Sequence, residues 1–254
     1  MDVHKFAGQY WNRNFLLMGI PRSGTSLFVK MLNQISGVYC FNEMWYDIST
    51  IPGFFANTRI AIKNGKPVKN TFDDNGDFTT DTLTEEHKLE TTVKYSENLV
   101  LGLKANETFT FLLDRLLFNT YICICLVRHP VYCIGSWNSP KAKGKLNAYD
   151  IETDERYKKF NFKGTKFERQ AQLWEYQAEK FVHFRDYINL YKYEDWTLDP
   201  SMPLRDFAGE FGVVVPEVEP FECFNDDDRY KDLDEIREAV KKYCKSVKEF
   251  GYTI

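Results

Sequence analysis

The 254-residue sequence has no long apolar run; its longest purely apolar stretch is 121–127, seven residues. A membrane-spanning helix needs about 20, so none is expected. The first residues, MDVHK, lack the pattern of a secretory leader. There is no CxxC pair. The six cysteines (Cys40, Cys123, Cys125, Cys133, Cys223 and Cys244) and four histidines are scattered, which argues against zinc. The thiols read as buried and reduced, which points to a cytoplasmic location. There is no excess of positive charge. A net charge of −4 argues against a nucleic-acid coat or a polybasic membrane binder, so any anionic ligand must be held by local groups. Repeats and low-complexity tracts are also missing. Aromatic residues, at 16%, are plentiful enough for a sizeable core that needs neither disulfide nor metal.

Short buried strands alternate with helices. The pattern predicts strands at 14–19, 38–41, 99–104, 121–127 and 187–191. Helices are expected at 25–34, 108–118, 130–137, 167–184, 202–211 and 233–250. Pro52-Gly53, Asn64-Gly65 and Asn75-Gly76 read as turns in a less regular stretch, and 138–163 reads as a loop rich in Lys, Asn and Asp. The alternation implies an α/β fold, a three-layer αβα sandwich around a central, mostly parallel sheet. One domain is expected over 1–254, with variable loops around 44–95 and 138–163.

The most informative stretch is Gly19-Ile20-Pro21-Arg22-Ser23-Gly24-Thr25-Ser26, between the first strand and the first helix. Gly24 lets the backbone curl closely around a ligand, and the first amides of the following helix form an anion site. Thr25 and Ser26 add hydroxyl donors, and Arg22 adds a charge-assisted one. A nucleotide kinase loop would read GxxxxGK[ST]. Here Thr25 occupies the position of the lysine that reaches the β- and γ-phosphates, which argues against phosphoryl transfer.

A second signal lies at the end of the strongest strand. Arg128-His129-Pro130 stands at the carboxyl edge of that strand, where open α/β sheets bind ligands, and Ser136 follows about two helical turns on. Arg128 and Ser136 together suit a second phosphate. Two further readings stay open: a P-loop nucleotide kinase or NTPase, and a nucleotide-binding module without catalysis.

Residues 21–28, PRSGTSLF, resemble the 5′-phosphosulfate loop of the sulfotransferases that use 3′-phosphoadenosine 5′-phosphosulfate (PAPS). The stretch from Arg128 to Ser136 resembles their 3′-phosphate motif. The nearest branch by these motifs is the tyrosylprotein-like one. Residues 38–43 (VYCFNE), Tyr193-Glu194-Asp195 with Asp199-Pro200, and Phe211-Gly212-Val213 are also similar. His129 replaces an Asp that shapes the turn. Ala105-Asn106 and Met44-Trp45 depart from the family pattern.

The resemblance implies a P-loop-containing fold and sulfuryl transfer from PAPS, with release of PAP (3′-phosphoadenosine 5′-phosphate), to a hydroxyl or amine. Glu43, two residues beyond the second strand, would be the general base; His4, His87, His129 and His183 are the only histidine rivals. Arg22 and Lys104 would stabilise the leaving phosphate. Arg22, Ser23, Gly24, Thr25, Ser26, Arg128, Ser136 and Tyr193 would bind the nucleotide. No metal is expected, because arginine, lysine and a helix terminus supply the positive charge. The acceptor would be a small molecule, carbohydrate, lipid or peptide, and a homodimer is possible. Trp45, Tyr46, Phe54, Phe55, Tyr149, Tyr157, Phe160 and Phe162 suit either an aromatic-lined acceptor pocket or the core.

Overall fold

Asn14–Gly19 forms β1, which is buried along its whole length and divides its side chains between two cores. Phe15 and Leu17 pack with Phe28 and Leu32 on one face; Leu16 and Met18 pack with Phe55, Cys125 and Val131 on the other. A strand apolar on both faces belongs in the middle of a covered parallel sheet. The computed structural model, which describes residues 11–42, 48–71, 88–119, 121–139 and 155–254, places it there. β1 lies between β5 (Val100–Lys104) and β6 (Ile122–Val127). β2 (Val38–Asn42) flanks β5 and β7 (Asn189–Lys192) flanks β6, every neighbour being parallel. A separate antiparallel pair joins β3 (Val68–Thr71) to β4 (Lys88–Thr91).

Helices cover both faces. On one side lie α1 (Thr25–Leu32), α8 (Tyr193–Leu198) and α9 (Ser201–Phe211). The other side carries α2 (Ile51–Lys63), α3 (Asn106–Phe111), α4 (Leu113–Leu117), α5 (Pro130–Trp137), the short α6 (Glu155–Lys158), α7 (Lys166–His183) and α10 (Leu233–Tyr243). The expected three-layer α/β architecture is therefore present. None of the described helices is long and apolar enough to cross a membrane. None of the six cysteines is in a disulfide, and only Cys223 is not buried. Burial pushes the Cys123 thiol up to about 12, and does the same for Cys133 against the pull of Arg128.

Several elements differ from the periodicity reading. Pro52-Gly53 is not a turn but the first turn of α2, where a proline's missing N–H costs nothing. The expected helix 108–118 is two helices, broken at Leu112 with φ −108°. The expected C-terminal helix stops at Tyr243, and a 3₁₀ segment, Lys245–Phe250, follows. Buried Glu175 on α7 pins that segment, accepting the Ser246 amide at 3.0 Å on each carboxylate oxygen. Phe55 and Tyr157 join the core, while Phe54, Phe160 and Phe162 pack against it, so these five aromatics do not form a free acceptor lining. Trp45, Tyr46 and Tyr149 lie outside the described residues.

In sheet order the strands run β2-β5-β1-β6-β7. The chain thus leaves β1 toward β2 on one side and later builds β6 and β7 on the other. The carboxyl end of β1 is the point where the order reverses, and such points make ligand crevices.

Candidate functional site

The loop after β1 is sewn to the carboxyl end of β6. Ile20 N donates to Leu126 O at 3.0 Å, and the buried Ser23 hydroxyl donates to the same carbonyl at 3.1 Å. Trp137 Nε1 donates to Pro21 O at 2.9 Å, and the Cys133 thiol lies 3.5 Å from that oxygen. Gly24, the N-cap of α1, turns the chain into the helix at φ 82° and has no side chain of its own to cap it. The first-turn amides are left for a ligand. A Cβ on Gly24 would meet the Tyr193 and Trp196 rings at 2.7 and 2.9 Å, so glycine is required by space as well as by φ.

Arg22 is fixed in an unusual conformation. Its φ is 71°, left-handed for a residue with a Cβ, at a cost of about 1–2 kcal/mol. Arg128 Nη1 donates to its carbonyl at 3.0 Å. Its own Nε donates to Ser136 Oγ at 2.9 Å. The side chain is exposed, and its two terminal nitrogens have no hydrogen-bond partner among the described residues. Residue 22 thus shares one rim of the sheet with residues 128 and 136, more than a hundred positions away.

Lys104 ends β5, in register with Leu17 of β1 and Asn42 of β2. It is only 1% exposed, and its ammonium stands 3.3 Å from Ser26 Oγ in the first turn of α1. A buried cation therefore lies beside the uncapped helix terminus. Glu43 lies outside the described residues; β2 runs one residue further than expected, to Asn42, directly before it. His4 and His87 also fall outside, and His183 is exposed at the end of α7.

Arg128 faces the protein. Its Nε donates to Asn225 Oδ1 at 2.8 Å, Nη1 to Arg22 O, and Nη2 to Phe224 O at 2.7 Å and Tyr230 OH at 3.1 Å. Four of its five N–H groups are thereby engaged. The guanidinium lies 4.5 Å from the centroid of the Tyr193 ring. Tyr193 is itself buried: its hydroxyl donates to Glu222 O at 3.4 Å and accepts from Phe224 N at 3.3 Å. Tyr193 therefore supports Gly24 and Arg128 from beneath. His129 caps α5, its Nδ1 accepting the Val131 amide at 3.3 Å.

The sequence reading missed the segment that closes around Arg128. Asn225 and Tyr230 belong to FNDDDRY, a short acidic stretch with no motif or periodicity to mark it. Asp226–Asp228 are exposed, and Asn225 and Tyr230 on either side of them hold the guanidinium. Glu194 was another unrecognised hub, joining His129 N at 3.0 Å, Asn225 Nδ2 at 2.6 Å and Tyr252 OH at 2.6 Å. The resemblance had marked Tyr193-Glu194-Asp195, which was the available signal. An open cleft of about 640 Å³ between α7 and α10, lined by Glu168, Glu238 and Lys242 among others, shares none of these residues.

No family model matches the chain, and no curated protein matches it. Among solved structures it is similar to the sulfotransferase domain from the curacin biosynthetic pathway, at 16% identity over 81% of this chain and 74% of that one, with a TM-score of 0.46. It is also similar to a sulfotransferase from Alicyclobacillus acidocaldarius, at 14% identity over 93% of this chain and 94% of that one, with a TM-score of 0.49. Identities this low leave the chemistry to be argued from the residues of the site.

Proposed function

We propose that this chain transfers a sulfuryl group from PAPS to a hydroxyl or amine acceptor by in-line displacement. The observation that carries the reading is the meeting of three positive features around one loop: the exposed end of Arg22, the buried Lys104 ammonium 3.3 Å from Ser26 Oγ, and the uncapped terminus of α1. Thr25 at the kinase-lysine position favours sulfuryl over phosphoryl transfer.

PAPS would supply an activated sulfuryl group joined to a phosphate leaving group. Transfer breaks that S–O bond and leaves negative charge on the phosphate oxygen. Fixed donors where charge develops are usually the largest catalytic contribution. Arg22 and Lys104 are assigned to that charge, with the amides of Thr25 and Ser26 beside them. Glu43 is assigned to take the acceptor's proton, next in sequence to the residue that registers against Lys104.

The test uses PAPS labelled in its sulfuryl group and a panel of hydroxyl and amine acceptors. Label should pass to at least one acceptor with wild type, and transfer should be lost with Glu43→Gln while PAP still binds. An active Glu43→Gln variant removes Glu43 as the base, and no transfer to any acceptor with wild type refutes the activity.

A further inference from the structure

We propose that the strip 158–166, which joins α6 to α7, docks an acidic polysaccharide as the acceptor. The inference rests on the reading of the chain as a sulfuryl transferase and names the class of molecule that takes the group. The strip reads KKFNFKGTK, four lysines with no acidic residue, in a chain whose net charge is −4. Lys158, Lys159, Lys163 and Lys166 are all exposed. Lys159, Lys163 and Lys166 form no ion pair among the described residues. The next acid along the chain, Glu168, is taken by the Thr165 amide at 2.8 Å and by Lys242 at 2.6 Å.

The backbone of the strip is held in place. Phe160 and Phe162 stack at 5.3 Å and pack against the core, with Phe160 4.6 Å from the Tyr176 ring of α7. With both rings turned inward, Lys159, Asn161 and Lys163 stand outside. Gln172 of α7 accepts the Lys163 amide at 3.4 Å and donates to the Lys163 carbonyl at 2.6 Å. Tyr157, directly before the strip, is buried, and its hydroxyl donates to Glu107 in the first turn of α3, three residues beyond Lys104. The lysines therefore begin beside the rim that carries the site. Ammonium groups and one amide match the carboxylates and hydroxyls of an acidic sugar chain, and a row of charges suits a polymer. The inward rings leave nothing apolar to enter a bilayer, and charge alone anchors a protein there poorly. Peptide recognition uses a sheet edge, an apolar groove or arginine forks, and the strip has none of these. Exposed ion pairs bind weakly, which suits an acceptor that leaves after each turnover.

Fluorescein-labelled polygalacturonate and chondroitin sulfate are the probes, followed by anisotropy, with labelled polyglutamate and phosphatidylserine vesicles as the rival partners. Wild type should bind at least one polysaccharide, more tightly than either rival, and lose affinity as salt rises. The triple variant Lys159→Gln, Lys163→Gln, Lys166→Gln should bind it about tenfold more weakly. The control variant Lys30→Gln, Lys245→Gln, Lys248→Gln removes the same charge from exposed positions elsewhere and should bind as wild type does. Binding of neither polysaccharide, equal affinity in the strip variant, an equal loss in the control, or tighter binding of polyglutamate or vesicles would each overturn the proposal. With labelled PAPS, the strip variant should show a raised KM for the polysaccharide at unchanged kcat, and an unchanged KM counts against the proposal equally. If label passes to no acceptor at all, the proposed function fails, while anisotropy still decides the docking surface. Transfer to an uncharged acceptor with no polysaccharide binding overturns this inference alone.

Discussion

Gly24→Ala places a methyl group where the loop, α8 and Arg128 are coupled. Gly24 holds φ 82°, and a Cβ there would stand 2.7 Å from Tyr193 Cδ2 and 2.9 Å from Trp196 Cζ2. The left-handed backbone costs a residue with a Cβ about 1–2 kcal/mol. Overpacking adds about 1–3 kcal/mol, because neither ring has room to yield. Trp196 is 0% exposed and packs edge-on against Phe28 at 5.1 Å, and Tyr193 carries Arg128 over its face. The expected loss is about 2–5 kcal/mol, a large part of the stability of an ordinary domain. Urea unfolding followed by circular dichroism measures it. Gly209→Ala is the control: it lies inside α9 with nothing within 4 Å of an added Cβ, and should gain up to about 1 kcal/mol from helix propensity. A Gly24→Ala loss below about 0.5 kcal/mol, the range of ordinary surface changes, would refute the argument.

Three further outcomes are expected. Thr165→Ala removes one half of the capping box that starts α7 and should cost about 1 kcal/mol, read by thermal unfolding; no change would mean the cap contributes nothing. Lys104→Met, similar in length, should lower turnover by about 10²–10³ with a smaller effect on PAP affinity, and equal losses in both would assign Lys104 to binding instead. His129 is held neutral: burial lowers its pKa despite the bond between Nε2 and Thr253 O. Its contribution is therefore complete above its unfolded pKa of about 6.5 and is lost as pH falls from there through the lower folded value. Between pH 7.5 and 5.5, wild type should lose more stability than His129→Asn, whose side chain can still cap α5, and equal losses would contradict this.

The sheet was legible because its strands are short apolar runs, and 14–19 and 130–137 emerge with the expected bounds. What stayed hidden has physical causes. Pro52-Gly53 carries turn chemistry, yet proline at a helix start is equally favourable, so α2 was masked by its own first residues. The break at Cys244 has no composition signal, since it depends on Glu175 reaching Ser246 from α7. At the site, Arg22, Lys104 and Ser26 carried readable chemistry. The inward turn of Arg128 did not, because it depends on Asn225 and Tyr230, about a hundred residues away and without periodicity.

Calorimetric titration of the wild-type chain with PAP tests the central claim most directly. The account predicts saturable heat and binding tighter than that of Mg·ATP. No binding at about 100 μM PAP, or a preference for Mg·ATP, would contradict it.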